Sequence, residues 1–172
     1  MQFRNNTTRL VFAALLIALE IILTRFIQIP IPIDGFTNRV SLGFLPVAVA
    51  GMLYGPFGGG LLAALSDIIR ALLFPQGAIN PLFTLTAFLR GLTYGTFLQR
   101  KSMPHRITIA SLIDYIVLNL GLNPFFTFIS YGGTFWSRFM TALPVSSVNF
   151  VLRLSLLLLV LPSLERSIKH RV

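Results

Sequence analysis

Hydrophobic residues run in six stretches along the chain, and polar residues gather in the short segments between them. Residues 11–27 are apolar apart from Glu20, Thr24 and Arg25, and residues 41–54 are apolar with Pro46 inside. The stretch 58–73 carries Ser66 and Asp67, and the stretch 81–98 opens with a first-turn proline and carries Arg90. Residues 107–128 hold Asp114, Asn119, Asn123 and Pro124; residues 138–164, the longest run, hold Pro144, Asn149 and Arg153. A membrane crossing needs about 20 apolar residues. The pattern therefore predicts an all-α integral membrane protein. It is a six-transmembrane-helix bundle in a single domain, 1–172, with helices at approximately 9–27, 41–54, 58–73, 81–98, 107–128 and 138–164. The second is short, about 21 Å at 1.5 Å per residue, and is tilted or broken at Pro46. Segment 28–40, with Pro30, Pro32, Asp34 and Gly35, reads as a loop, as do 74–80 and 129–137, and Gly55-Pro56 reads as a turn.

Composition agrees. Of 172 residues, 55% are hydrophobic and 11% charged, and the mean hydropathy is +0.80, outside the range of ordinary soluble domains. The net charge of +9 sits in three clusters: Arg4 and Arg9; Arg100, Lys101 and Arg106; Arg166, Lys169 and Arg171. With the N-terminus inside, six crossings put all three on the cytoplasmic side, as the bias of Lys and Arg requires. Both termini are then cytoplasmic. The positive charge is explained by the lipid bilayer, with no nucleic-acid partner. The first run could pass for a signal peptide, but it lacks a small-residue cleavage site and Glu20 interrupts it, so it reads as a retained helix. Absent cysteine excludes disulfides and thiolate metal sites. There is no P-loop, HExxH or GxSxG, so an enzyme is not expected, nor a metal or cofactor.

Asp67, Arg90, Asp114 and Arg153 lie inside spans, where a charge costs roughly 2.5–3.5 kcal/mol. Four of them predict a polar cavity, with Asp67–Arg90 and Asp114–Arg153 as the couples that match in depth. The outer face carries Arg25, Arg39, Arg70 and Arg138 against Asp34 alone. These arginines either snorkel to headgroups or receive an anionic solute through bidentate forks. Phe74, Tyr131 and Trp136 belong to an aromatic cluster on that face, either an interfacial belt or a platform for a flat ring. Asn119 and Asn123, four apart on one helical face, either bind a heterocycle edge or join helices. Arg25, Arg39, Phe74, Arg90, Asn119, Asn123, Tyr131, Trp136 and Arg138 are thus the candidate solute-binding residues. Ala14 and Ala18 make a small-residue face, for internal packing or for docking a partner helix.

The segments SLGFLPVAVAGMLYGPFGGG, a helix with Ser66-Asp67, and LLFPQGAINPLFTLTAFLRGLTYG resemble the folate-specific substrate-binding (S) components of energy-coupling factor (ECF) vitamin transporters. The match covers residues 8–100, and the remainder agrees in layout. The resemblance implies capture of folate from outside a bacterial cell membrane. It also implies inward delivery with a transmembrane, EcfT-like coupling subunit and two ABC-type ATPases, docked through Ala14 and Ala18. No vitamin-contacting residue is carried over from the family. Folate offers a flat pterin to amides and aromatics and a glutamate tail to arginine. The alternatives are an S component for thiamin or riboflavin and a stand-alone secondary transporter; the chain shows no inverted repeat that would favour the latter.

Overall fold

The computed structural model describes residues 6–33, 36–74, 80–99 and 103–169. Among them are five helices. These are α1 (Asn6–Phe26), α2 (Phe44–Leu73), α3 (Pro81–Leu98), a composite helix and α6 (Phe135–Lys169). The composite helix runs through α4 (Pro104–Ile113), a π-helical stretch (Asp114–Leu122) and α5 (Asn123–Tyr131). Among the described residues, four helical spans are long and apolar enough to cross a membrane: Asn6–Phe26, Phe44–Leu73, Pro104–Ser130 and Phe135–Glu165. The burial pattern is that of a protein in lipid. Leu10, Leu15, Leu72 and Leu159 are exposed, whereas Asp67, Asp114, Arg138 and Arg153 are buried. Apolar side chains lose nothing by facing hydrocarbon, while polar ones must find partners inside.

Three expectations are corrected, the smallest at 129–137, where only 132–134 lies between helices because α5 runs to Tyr131 and α6 starts at Phe135. Segment 28–40 is no loop. Strands β1 (Gln28–Ile33) and β2 (Phe36–Ser41) form an antiparallel ribbon, with Gln28 opposite Ser41 and Pro30 opposite Arg39. Pro30 and Pro32 are two residues apart, so their missing N–H groups fall on the same edge of the strand, the position where a ribbon tolerates proline. Third, the helices expected at 41–54 and 58–73 run together as α2, so the helical runs number five and not six.

Within α2, Gly55 is not helical: its φ of 76° and ψ of −171° place it where glycine is favoured. Pro56 follows. The arms on either side fold back on one another, since a Cβ at Gly59 would stand 2.7 Å from the Cα of Gly51. Helix α3 packs into this bend just as closely. A Cβ on Gly51 would meet the Gly95 nitrogen at 2.7 Å, and one on Gly59 the Gly91 oxygen at 2.9 Å. Glycines spaced by four on both elements let backbones touch, the usual route to tight packing where no water drives helices together. Asn80 caps α3, accepting from the Leu82 N–H at 3.0 Å, and Pro81 occupies the first turn. Beside the glycine seam, Phe44, Val47, Tyr94, Leu98, Ile107 and Leu157 form the apolar core.

Candidate functional site: a polar chamber between the helices

A cavity of about 250 Å³ opens where the helices diverge from the seam. On α1, Glu20 and Thr24 are one turn apart, and the Thr24 hydroxyl donates to Glu20 Oε1 at 3.0 Å. The base of the ribbon adds Gln28 and Ser41, partners in register. The second arm of α2 brings Asp67 and Arg70, which form an ion pair, and Thr84 of α3 donates to Asp67 Oδ2 at 2.8 Å. Ala87 and Arg90 of α3, Asn119, Asn123, and Asn149 and Arg153 of α6 complete the wall.

Beneath it lies Asp114, fully buried. Arg90 Nε donates to its Oδ1 at 2.8 Å, Arg153 Nη1 pairs with its Oδ2, and Asn119 Nδ2 donates to that oxygen at 2.7 Å and to the Asp114 carbonyl at 2.9 Å. The last two bonds depend on π winding, which brings residues five apart into line. Arg153 also lies over the Phe44 ring at 5.3 Å. Two guanidinium groups around one carboxylate leave the floor with an excess positive charge. Three polar atoms of the wall have no hydrogen-bond partner among the described residues: Glu20 Oε2, Arg70 Nε and Arg153 Nε. Buried polar atoms in that state are rare and costly, about 1–3 kcal/mol each. The chamber offers donors and an acceptor to a ligand. No group of three or more metal-ligating side chains is found among the described residues.

Of the residues expected at the site, Arg90, Asn119 and Asn123 line the chamber. Arg25 does not; it stacks over Phe74 at 5.2 Å, beside a Phe26–Phe74 edge contact at 6.3 Å. Trp136 is exposed and stacks on Phe139. Arg138 is buried and donates to the Gly132 carbonyl at 3.0 and 3.3 Å, closing the end of α5. The side chains of Arg39 and Tyr131 lie outside the described residues. The couple Asp114–Arg153 forms, but Asp67–Arg90 does not: Arg70, one turn along, reaches Asp67, and Arg90 turns to Asp114. Sequence reasoning missed Glu20 and Thr24 as wall residues. The signal was a carboxylate at mid-span with a hydroxyl four residues on. Ala14 and Ala18 are exposed on α1, away from the chain's own helices.

A family model described as ECF-type riboflavin transporter, S component, matches residues 4–165. The chain belongs to the S components of ECF-type transporters. As an S component it is part of a transport system and not an enzyme. Folate transporter FolT of Clostridium novyi (strain NT) is 36% identical over 142 residues, 82% of this chain and 80% of that protein. Folate transporter FolT of Streptococcus mutans serotype c (strain ATCC 700610 / UA159) is 28% identical over 165 residues, 92% and 87% of the two chains. The crystal structure of FolT bound with folic acid matches with a TM-score of 0.79 at 28% identity, covering 88% of this S component and 91% of that chain. A second structure, of the S component of a bacterial ECF transporter, shares the fold with a TM-score of 0.69 at 22% identity.

Proposed function

We propose that this S component binds folate in the chamber and delivers it into the cell when docked on an ATP-driven ECF module. The observation that carries the reading is the chamber: guanidinium and amide groups converge in an apolar bundle whose fold matches FolT bound with folic acid. At about 250 Å³ it is near the lower end of ligand pockets, roughly 300–1,000 Å³. It suits the pterin, with the glutamate tail running outward past Arg25 at the rim. The likeness to folate transporters favours folate, while the family description supports riboflavin as the second reading.

The two arms of α2, folded back at Gly55, act as separate crossings. That yields six spans in a bacterial cell membrane, with both termini and the basic clusters on the cytoplasmic side. Exposed Ala14 and Ala18 form the face on which an EcfT-like coupling subunit docks, itself served by two ABC-type ATPases. Titration of the purified chain with folic acid and with riboflavin tests the solute: saturable folic acid binding and weak riboflavin binding are expected. Tight riboflavin binding without folic acid binding would replace the first reading by the second.

A further inference from the structure

The chamber is served by three carboxylates, and they are not equivalent. Both oxygens of Asp67 are engaged, by Arg70 and Thr84. Both oxygens of Asp114 are engaged, by Arg90, Arg153 and Asn119. Glu20 spends Oε1 on the Thr24 hydroxyl and keeps Oε2 without a partner among the described residues. Glu20 lines the chamber beside Thr24 and Gln28. Its carboxylate torsion is soft and two-fold, so a small turn brings the idle oxygen toward the cavity that the residue lines. A carboxylate at a chamber wall with an idle oxygen, and a second lone pair on the oxygen that Thr24 uses, can still accept from a ligand's donors.

We propose that Glu20 is the specificity-determining acceptor of the site and selects ligands carrying a 2-amino-4-oxopyrimidine edge. This rests on the folate reading. That edge presents a ring N–H and an exocyclic N–H side by side, which a carboxylate accepts as a fork. A flavin presents one ring N–H between two carbonyl oxygens. Those oxygens would stand against the carboxylate and be repelled, while the buried acceptor stayed half-satisfied. An analogue that leaves a buried polar group unpaired is rejected far more strongly than one that differs by a methylene. Glu20 thereby separates pterins from flavins within one fold.

The test titrates wild type and Glu20→Gln in the same detergent with two ligands: folic acid, and an analogue whose 2-amino group is replaced by methyl. Wild type should prefer folic acid at least tenfold. Glu20→Gln should lose ten- to a hundredfold for folic acid, the range of a charge-assisted contact, and clearly less for the analogue, which keeps only the ring N–H, so that the preference narrows. A variant that keeps the wild-type preference overturns the inference while leaving folate as the ligand. The wild-type comparison needs no variant: equal affinity for the two ligands overturns the inference even where Glu20→Gln does not fold. Absence of folic acid binding by wild type overturns the folate reading and the inference with it.

Discussion

Helices α2 and α3 meet in one place through glycine and stand apart a few residues away around a pocket of charge. Gly91 faces the seam, against Gly59; its neighbour Arg90 faces the chamber, against Asp114. Gly59 and Gly60 pack without room for a side chain, and two turns on, Asp67 pairs with Arg70 at the chamber wall. The contrast shows how a small membrane bundle holds a solute site. Side chains are removed where helices must touch, and the charges are partnered with one another where helices part. The seam sets the spacing, and the ion network sets which polar atoms remain free for a solute.

Removing the centre of the network should do the most damage. Asp114→Ala leaves buried Arg153 and half-buried Arg90 without their common partner, a change that costs about 3–5 kcal/mol in comparable buried sites. The detergent-solubilised variant should melt far below wild type or fail to purify; a melting temperature near wild type would show that the charges are solvated and not paired. Next comes the seam. Gly91→Leu pushes a side chain into the Gly59 backbone and should cost about 1–3 kcal/mol or more, and folate affinity should fall with stability because the chamber wall moves. Gly121→Ala is the control: the nearest atom to an added Cβ is 3.4 Å away, and thermal melting should be unchanged.

At the rim the effect is smaller. Arg25→Ala should weaken folate binding about tenfold, the loss of one charge-assisted contact, with little change in melting. Arg25→Lys should recover only part of the affinity because the planar fork is lost. An unchanged titration would mean that Arg25 serves only its stack on Phe74. Smallest of all, for affinity and stability, is Ala14→Leu with Ala18→Leu. Both positions are exposed, so folate titrations should overlay wild type within about twofold. Uptake by cells that carry the coupling module should nevertheless be lost, since bulk on this face blocks close helix approach. Parallel losses of binding and uptake would assign the alanines to internal packing.

Much of this architecture was legible in the chain. Apolar runs placed α1 and α3 within a few residues, and mid-span charges marked the chamber. Depth along the spans was enough to couple Asp114 with Arg153. It failed for Asp67, because depth ignores a guanidinium three residues along the same helix. The ribbon was hidden by Pro30 and Pro32, which read as punctuation, although alternation of isoleucine with proline around Asp34-Gly35 carries a hairpin signal. Glu20 looked like an interruption of an apolar run and proved to line the cavity. The π winding that sets Asn119 on Asp114 leaves no mark in residue spacing.

The account stands or falls on whether folate occupies the chamber between α1, α3 and α6. Ala87 lines that chamber, is only partly buried and packs beside the apolar core. Ala87→Phe fills the space without removing a charge. Titrated with folic acid beside wild type, the variant should keep its melting temperature within a few degrees and lose more than a hundredfold in affinity. A well-folded Ala87→Phe protein that binds folic acid as wild type does would place the solute elsewhere and contradict the account.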